Sequence, residues 1–593
     1  MKIRFIGALG SVTGSCSLLN HRNRYYLVDC GAEQNGGTAD PANGSAFPFK
    51  PDGIDGVFLT HAHLDHCGHL PVLVREGFRG RIYCTRATAD LTRHALMDVA
   101  ALGVGGFSAA DVERLKFVCP DEHELFQFGT FFPVDRDLTC AFIRTSHVLG
   151  SVGFEFQFSD WKGASADERK TIVFSGDIGC NTDENPYQAL LNGRQYPSTH
   201  AEYIVCESTY GERERGAGYM DFWGRLGALK RLLDEAAAIG PGATIVFPCF
   251  TLQRMQEVIL DLHGVLELQL ADDERREWLR MRGGQAGLVA DVVVDSPLAV
   301  KYGAVFAHEL SRLRRNGKPF YLNTALSGRL QVAGAHVYGM IERLLCPEKG
   351  RTQGRNYSLS YCPRVATPGA ALRIVIAGAG MCNGGRVTEH LKKLLPSPKT
   401  VVALTGYQAA GTPGAELMRR ATEPAGKINA AFWDLSSGEV RARIVDFSAY
   451  YSGHADRNGL LDFVLRKNSA HPYQTVKRVF LVHGENGARA GLKRAIVARA
   501  SDNRATDRSV VAVELPEAVS GWFDLFENDW VYESHRVVDR PDMQVAALLA
   551  EVRRLGEQVT KFGERSPDEE TVKKLYTELA AMREELVGLA LGG

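Results

Sequence analysis

The chain contains no CxxC pair and no cysteine cluster. Its twelve cysteines are scattered, the nearest two, Cys16 and Cys30, standing fourteen positions apart. That excludes zinc fingers and dithiol redox motifs, and the thiols read as buried and reduced. Long apolar runs are missing too. None reaches the ~18–20 residues a bilayer span needs, so no membrane association is expected. The opening, MKIRFIGALGSVTGSCSLL, carries Lys2 and Arg4 as a signal peptide would, but Gly7, Gly10 and Gly14 interrupt it. It reads as a strand followed by a turn, and a cytoplasmic location is expected. Net charge is nearly absent: 69 Lys and Arg against 70 Asp and Glu give −1 at pH 7. Polyanion affinity is largely phosphate neutralisation, so a nucleic-acid partner would have to be held by a local basic groove or by metal ions.

What is present points to several domains, because 593 residues exceed what one core usually serves. The first two hundred residues are β-rich, with apolar strand-like runs at 2–7, 25–29, 57–60, 139–145 and 171–174. Several of these runs end directly at a His or Asp, as suits a site built on loops over a rigid sheet. From about 211 the pattern changes. Helical periodicity at 222–238 and 252–262 alternates with short strands at 243–247, 289–294, 372–377 and 400–404. That alternation predicts a doubly wound α/β unit. The polar stretch 346–371 reads as a loop insertion. After 430 a β-rich texture returns, with strands near 440–447 and 476–482, so the α/β unit is expected to interrupt the first domain. At the end, Leu548, Val552, Leu555, Val559 and Phe562, then Val572, Leu575, Leu579, Met582, Leu586 and Leu589, follow helical a/d spacing. Ser566-Pro567-Asp568-Glu569 between them is a capping box. A helical hairpin is predicted, which would pair with a second copy or pack on its own body.

Thr60-His61-Ala62-His63-Leu64-Asp65-His66 is the strongest signal. It leaves an apolar strand and enters a short helix, expected at 68–75. In an extended turn His61 and His63 point the same way, and the next turn brings Asp65 and His66 to a neighbouring position. Four potential ligands at such a junction can serve two adjacent cations. Imidazole and carboxylate are the ligands of catalytic zinc, and two metals ~3.5–4 Å apart can share a hydroxide and clamp a phosphodiester. Ser146-His147, Phe174-Ser175-Gly176-Asp177 and Leu481-Val482-His483-Gly484-Glu485 also follow apolar runs, as does Asp29 in Leu27-Val28-Asp29-Cys30-Gly31.

Together these resemble the motifs of the metallo-β-lactamase superfamily. The resemblance implies an α/β fold, an αββα sandwich with two zinc ions, manganese being tolerated by the same ligands. It implies His61, His63 and His147 at one metal, Asp65, His66 and His483 at the other, Asp177 bridging them, and Asp29 orienting a ligand from behind. Cys206-Glu207-Ser208-Thr209-Tyr210-Gly211-Glu212-Arg213 and Ser452-Gly453-His454-Ala455-Asp456 are similar to motifs of the β-CASP nucleases within that superfamily. So are Asp295-Ser296-Pro297-Leu298-Ala299, Gly380-Met381-Cys382-Asn383-Gly384-Gly385-Arg386 and Gly406-Tyr407-Gln408-Ala409-Ala410-Gly411-Thr412. The match spans roughly 1–515 and is closest to the prokaryotic relatives of the cleavage-and-polyadenylation endonuclease. It departs at Ala377-Gly378-Ala379, where the family often carries serines. The domains it implies are 1–210 and 431–518 for the sandwich, 211–430 for an inserted β-CASP domain capping the zinc site, and 519–593 for the helical tail.

By the resemblance, His483 favours single-stranded RNA as partner, since DNA-cutting members typically carry valine there. The catalytic residues would be Asp177, holding the nucleophile in line, and His454, donating a proton to the leaving 3′ oxygen with Glu207 orienting it. An ordinary His pKa of ~6.5 suits that role. Gly384, Gly385 and Arg386, at a helix start, and His390 are candidate phosphate contacts. A thioesterase-like hydrolase would need neither the insert nor the Glu207/His454 pair. A non-catalytic RNA-binding scaffold would not need all seven ligands. The tail makes a homo-oligomer, a dimer, the expected state.

Overall fold

The computed structural model describes residues 1–33, 47–159, 169–198, 200–269, 289–330, 334–346, 351–362, 372–423, 426–465, 475–502, 509–517 and 521–531. The helical hairpin expected beyond 540 therefore lies outside the described residues.

Three sheets organise the described residues. The first has eight strands in the order Asp529–Val531, Trp522–Asp524, Lys2–Gly7, Cys16–His21, Arg24–Val28, Ile54–Phe58, Arg81–Tyr83 and Phe117–Val118. The second has seven, in the order Ser509–Glu514, Thr475–Val482, Tyr203–Glu207, Lys170–Phe174, Val152–Phe158, Leu138–Arg144 and Phe132–Asp135. These two pack face to face through an aromatic core. In VGFEFQF the period-2 alternation sends Phe154, Phe156 and Phe158 to one face. Phe142, paired with Phe154 across the ladder, meets it edge-on at 5.1 Å. Phe58 of the first sheet meets Phe156 edge-on at 4.7 Å between centroids. Each such fully buried ring contributes about 1.5–3 kcal/mol over exposure.

Helices cover the outer faces. Leu70, Leu73 and Val74 of helix Leu70–Arg75 sit on Leu27, Val57 and Ile82 of the first sheet. Leu460 and Val464 of helix Arg457–Leu465, with Leu492 and Ile496 of helix Asn486–Asp502, sit on Ile204 and Val479 of the second. The result is the expected αββα sandwich.

The chain leaves the second sheet at Glu207 and rejoins it beside that same strand, Glu207 standing in register with Val482. The third sheet is formed between those two points. Its order is Arg351–Gln353, Tyr357–Tyr361, Ala290–Asp295, Leu372–Ala377, Thr244–Pro248, Thr400–Leu404 and Arg443–Asp446. All its pairings are parallel except that of the first two strands. One face is covered by helices that include Phe222–Ala238 and Arg254–His263, the other by Gly385–Leu394 and Pro413–Thr422. This is the doubly wound unit read from the alternation.

Two details differ from the sequence reading. The stretch 346–371 is not simply a loop insertion, because it supplies Tyr357–Tyr361, which lies fully buried. In YSLSY the residues Tyr357, Leu359 and Tyr361 enter the core, while the Ser358 hydroxyl donates to Asp291 Oδ1 at 2.9 Å. Buried serines, Ser358 with its partner among them, made the segment look polar. The strand Arg443–Asp446 also pairs with Thr400–Leu404, so the third sheet runs on past residue 430.

The insert is tied down next to the future site. The Gln253 Oε1 accepts from the Leu149 amide at 3.0 Å, and Glu257 accepts from the amides of Ala189 and Leu190. At the far end, Arg312 donates to Asp121 Oδ2 at 3.1 Å.

Candidate metal centre

Strand ends assemble this site. Asp29, the 61–66 motif, His147, Asp177, Glu207 and His483 each lie at or just past the C-terminal end of a strand of the two packed sheets. The chain turns sharply there: Asp29, Ser146, Gly176 and His483 all have φ between 48° and 62°. Three of the four are not glycine, and such residues rarely persist in the left-handed region unless the surroundings hold them. The motif backbone is locked from outside. The amides of Ser15, Cys30 and Ala32 donate to the carbonyls of Asp65, His66 and Leu64 at 2.8, 2.8 and 2.9 Å. Gly31 is required for that fit, since a Cβ there would stand 1.6 Å from the Asp65 carbonyl oxygen.

Two ligand sets meet on one carboxylate. Asp177 Oδ2 faces His61 Nε2 and His147 Nε2, each at 3.5 Å. Asp177 Oδ1 faces His66 Nε2 at 3.4 Å and His483 Nε2 at 3.6 Å. His63 Nδ1 completes the first set, 3.0 Å from His61 Nε2 and 3.2 Å from His147 Nε2. Asp65 Oδ2 completes the second, 3.9 Å from both His66 Nε2 and His483 Nε2. Within each set the ligand atoms lie within 4.8 Å of one another.

Hydrogen bonds behind the rings aim their lone pairs inward. His66 donates from Nδ1 to Asp29 Oδ2 at 2.7 Å. Asp29 is held in turn by the Thr60 amide at 2.8 Å and the Thr60 hydroxyl at 2.9 Å. With that hydroxyl proton committed, Thr60 Oγ1 accepts from His61 Nδ1 at 3.0 Å. His147 donates from Nδ1 to the Gly453 carbonyl at 3.1 Å. His61, His66 and His147 thus present a bare Nε2, the form that binds a metal.

The electrostatics fit cations. Burial, with the neighbouring imidazoles, drives His61 and His147 well below the usual histidine range, and burial takes His63 down to about 4 against the pull of Asp65 and Asp177. All three are neutral near pH 7. Burial works the same way on His66, but Asp177 and Asp29 outweigh it and raise its pKa well above 6.5. A pocket that draws a proton this strongly draws a metal ion in its place. Asp177, despite burial, is held well below the usual carboxylate range, by His483 and His66 above all. His66 Nε2 and Asp177 Oδ1 are buried without a hydrogen-bond partner, which is costly for bare groups and natural for ligands. The donor set therefore fits two divalent cations. Removing the group that aims a ligand weakens a metal site about 10–100-fold. Asp29→Asn is accordingly expected to lower metal affinity by that factor with the fold retained, as read by titrating the metal-free protein with zinc.

A third group adjoins the first two. His454 Nδ1 lies 3.1 Å from Glu207 Oε1 and 3.9 Å from Asp177 Oδ2. Glu207 is buried and accepts from the amides of Ile178 and Thr209. Burial tends to lower the His454 pKa, but Glu207 and then Asp177 override it and raise the value to about 9, above the ordinary range expected from sequence. The loop under His454 is held by Arg215, whose Nη2 donates to the His454 carbonyl at 3.0 Å, and by the Cys180 thiol, which donates to the same carbonyl.

The Gly-rich turn is placed differently. Gly384 and Gly385 line a cavity of about 820 Å³ between the sandwich and the insert, which reaches the ligand sets at His63. Arg386 and His390, however, both engage Asp295, at 2.7 and 2.9 Å, so part of their donor capacity is committed within the insert. Sequence reasoning singled out neither Thr60, the Gly453 carbonyl, Arg215 nor Cys180. Thr60 and Gly453 stand inside the His61 and His454 motifs, and that placement was the available signal.

A fold and site of this kind define a metallo-hydrolase of two packed sheets with its chemistry at their strand ends. The description "Metallo-beta-lactamase superfamily" matches residues 9–139, "Beta-Casp domain" 278–417, and "Zn-dependent metallo-hydrolase RNA specificity domain" 437–505. Over 504 residues the chain is 30% identical to Ribonuclease TTHA0252 of Thermus thermophilus, covering 82% of this chain and 93% of the relative. It is 26% identical over 510 residues to Transcription termination factor FttA of Methanosarcina mazei, covering 82% and 67%. With Cleavage and polyadenylation specificity factor 73 of Drosophila melanogaster it shares 24% over 524 residues, covering 86% and 63%. The chain belongs to the β-CASP ribonuclease family of the metallo-β-lactamase superfamily. Among the described residues no helix is long and apolar enough to cross a membrane.

Proposed function

We propose that the protein is a two-zinc ribonuclease that cuts single-stranded RNA internally, in RNA processing or decay. The observation that carries this reading is the division of Asp177, whose two oxygens face separate histidine sets while the Glu207–His454 pair stands beside it. His61, His63, His147, Asp65, His66, His483 and Asp177 would hold two divalent cations, which would supply neutralisation of phosphoryl oxygens and activation of a water. Asp177 keeps the two halves in one geometry. Asp29 and Thr60 stop His66 and His61 from turning. The water gives up a proton to solvent, its oxygen bonds to phosphorus as the bond from phosphorus to the 3′ oxygen breaks, and protonated His454 gives its proton to that leaving oxygen. Glu207 holds His454 by Nδ1, which leaves Nε2 as the donor. The products are a 3′-hydroxyl and a 5′-phosphate.

RNA is favoured over DNA by His483 and by the relatives, which are named a ribonuclease, a termination factor and a polyadenylation factor. The region matched by the RNA specificity description also contains His454 and His483. The test is cleavage of matched single-stranded RNA and DNA by the purified protein with zinc or manganese. Internal cuts in RNA and an intact DNA strand are expected. DNA cutting alone would overturn the reading of His483, and no cutting of either by metal-loaded protein would remove the nuclease assignment.

A further inference from the structure

A nearly neutral chain that acts on a polyanion needs local cations, and the ligand sets can serve only the reacting phosphate, leaving its neighbours to side chains. We propose that Arg213 is a substrate-positioning residue that clamps a backbone phosphate of the RNA strand within about three nucleotides of the reacting one. This rests on the ribonuclease reading above.

Arg213 sits past the strand that ends at Glu207, and it is exposed. Its guanidinium carbon lies 5.3 Å from the Tyr210 ring and 6.0 Å from the Tyr407 ring. Tyr210 in turn meets the His454 ring edge-on at 5.9 Å and the Tyr407 ring at 6.4 Å. Tyr407 comes from the insert, and its hydroxyl donates to Glu485 Oε1 at 2.6 Å, two residues past His483. The cluster thus bridges the two domains next to His454 and His483. Its rings are fixed: Tyr210 by burial, Tyr407 by its bond to Glu485.

Three neighbouring arginines are engaged, and Arg254, next to Gly453, is buried. Arg457 pairs with Glu214, Arg494 reaches Glu212 at 4.0 Å, and Arg215 is spent on Tyr187, Cys180 and the His454 carbonyl. Among the described residues Arg213 has no ion-pair partner. A guanidinium stacked on aromatic rings keeps its edge donors free, in the fork that fits a phosphate, and gives up less freedom on binding than a loose side chain does. The spacings from the His454 ring to Tyr210, and from Tyr210 to the guanidinium, bring Arg213 to a phosphate within about three nucleotides of the cut, at ~3.4 Å or more per nucleotide.

The experiment compares full-length wild-type, Arg213→Ala and Arg213→Lys proteins. Steady-state cleavage of a single-stranded RNA is measured at several salt concentrations, and hydrolysis of bis(p-nitrophenyl) phosphate, a diester with no neighbouring nucleotides, is measured alongside. For Arg213→Ala the KM for RNA should rise about tenfold with kcat changed less than about twofold. The slope of log KM against log salt should fall by about 0.7. The loss on RNA should exceed the loss on the small diester at least fivefold. Arg213→Lys should keep the salt slope and lose part of the affinity. An unaltered KM and slope in Arg213→Ala would overturn the clamp, and so would equal losses on both substrates, which mark a structural role. A wild-type protein that hydrolyses the small diester but no RNA would overturn the ribonuclease reading itself, and the clamp with it.

Discussion

Asp177→Asn is expected to lower RNA turnover by at least about a thousandfold and to reduce the zinc retained per chain. The magnitude follows from the role. A metal clamp on a phosphoryl group is worth several kcal/mol of transition-state stabilisation, and about 4 kcal/mol is a factor of a thousand. An amide offers one neutral oxygen where the carboxylate offers two charged ones, so it cannot face both histidine sets. It also removes a negative charge that His66, His61, His147, His454 and His483 all share at 3.4–3.9 Å. The substitution is nearly isosteric, so the aromatic core and the three sheets should survive it, and a wild-type circular dichroism spectrum is expected. Metal content by atomic emission, beside cleavage rates at added zinc, checks both halves. A variant that binds two zincs and cuts RNA at the wild-type rate would remove Asp177 from the centre of the mechanism. Treating the wild type with a chelator should abolish activity in the same assay, and zinc should restore it.

The candidate ligands were legible because they are polar residues at the ends of apolar runs. His61, His63, Asp65 and His66 fall within six positions, so local geometry alone brings them together. His147, Asp177, Glu207 and His483 are far apart in sequence, yet each is found where an apolar strand stops; parallel pairing lines up the ends at Asp177, Glu207 and His483, and two antiparallel pairings bring the strand before His147 round to the same direction. What sequence could not show is what depends on partners from distant segments. Arg386 and His390 looked free to hold a phosphate, but Asp295, 91 and 95 positions away, already engages both. Tyr407 stands in a stretch that carries the family resemblance, but nothing local assigns it a role, which it acquires only because the insert folds back onto Glu485 and Tyr210. The strand Tyr357–Tyr361 was hidden by the opposite effect, since Ser358 finds a partner in the interior and so carries no penalty for burial.

His454→Ala is expected to keep its metals and to lose about 10²–10⁴ in turnover, the range of a positioned general acid. The separation of the two effects is the informative part. His454 lies 3.1 Å from Glu207 and 3.9 Å from Asp177, but it belongs to neither of the two sets that face the Asp177 oxygens from His61/His147 and His66/His483. Zinc content should therefore hold where Asp177→Asn loses it. The pH profile gives the sign. Burial alone would deprotonate His454, but Glu207 and Asp177 raise its pKa to about 9, so the acid form is present at neutrality and is lost as pH rises through the folded value. Bound cations neutralise Asp177 and bring that limb below 9. Wild-type kcat should fall on the alkaline side accordingly. Glu207→Gln removes the larger of the two raising charges and should shift the limb toward acid pH while lowering kcat. In His454→Ala the residual rate should not show that limb. If it persists unchanged, the titrating group is another one and His454 is not the acid.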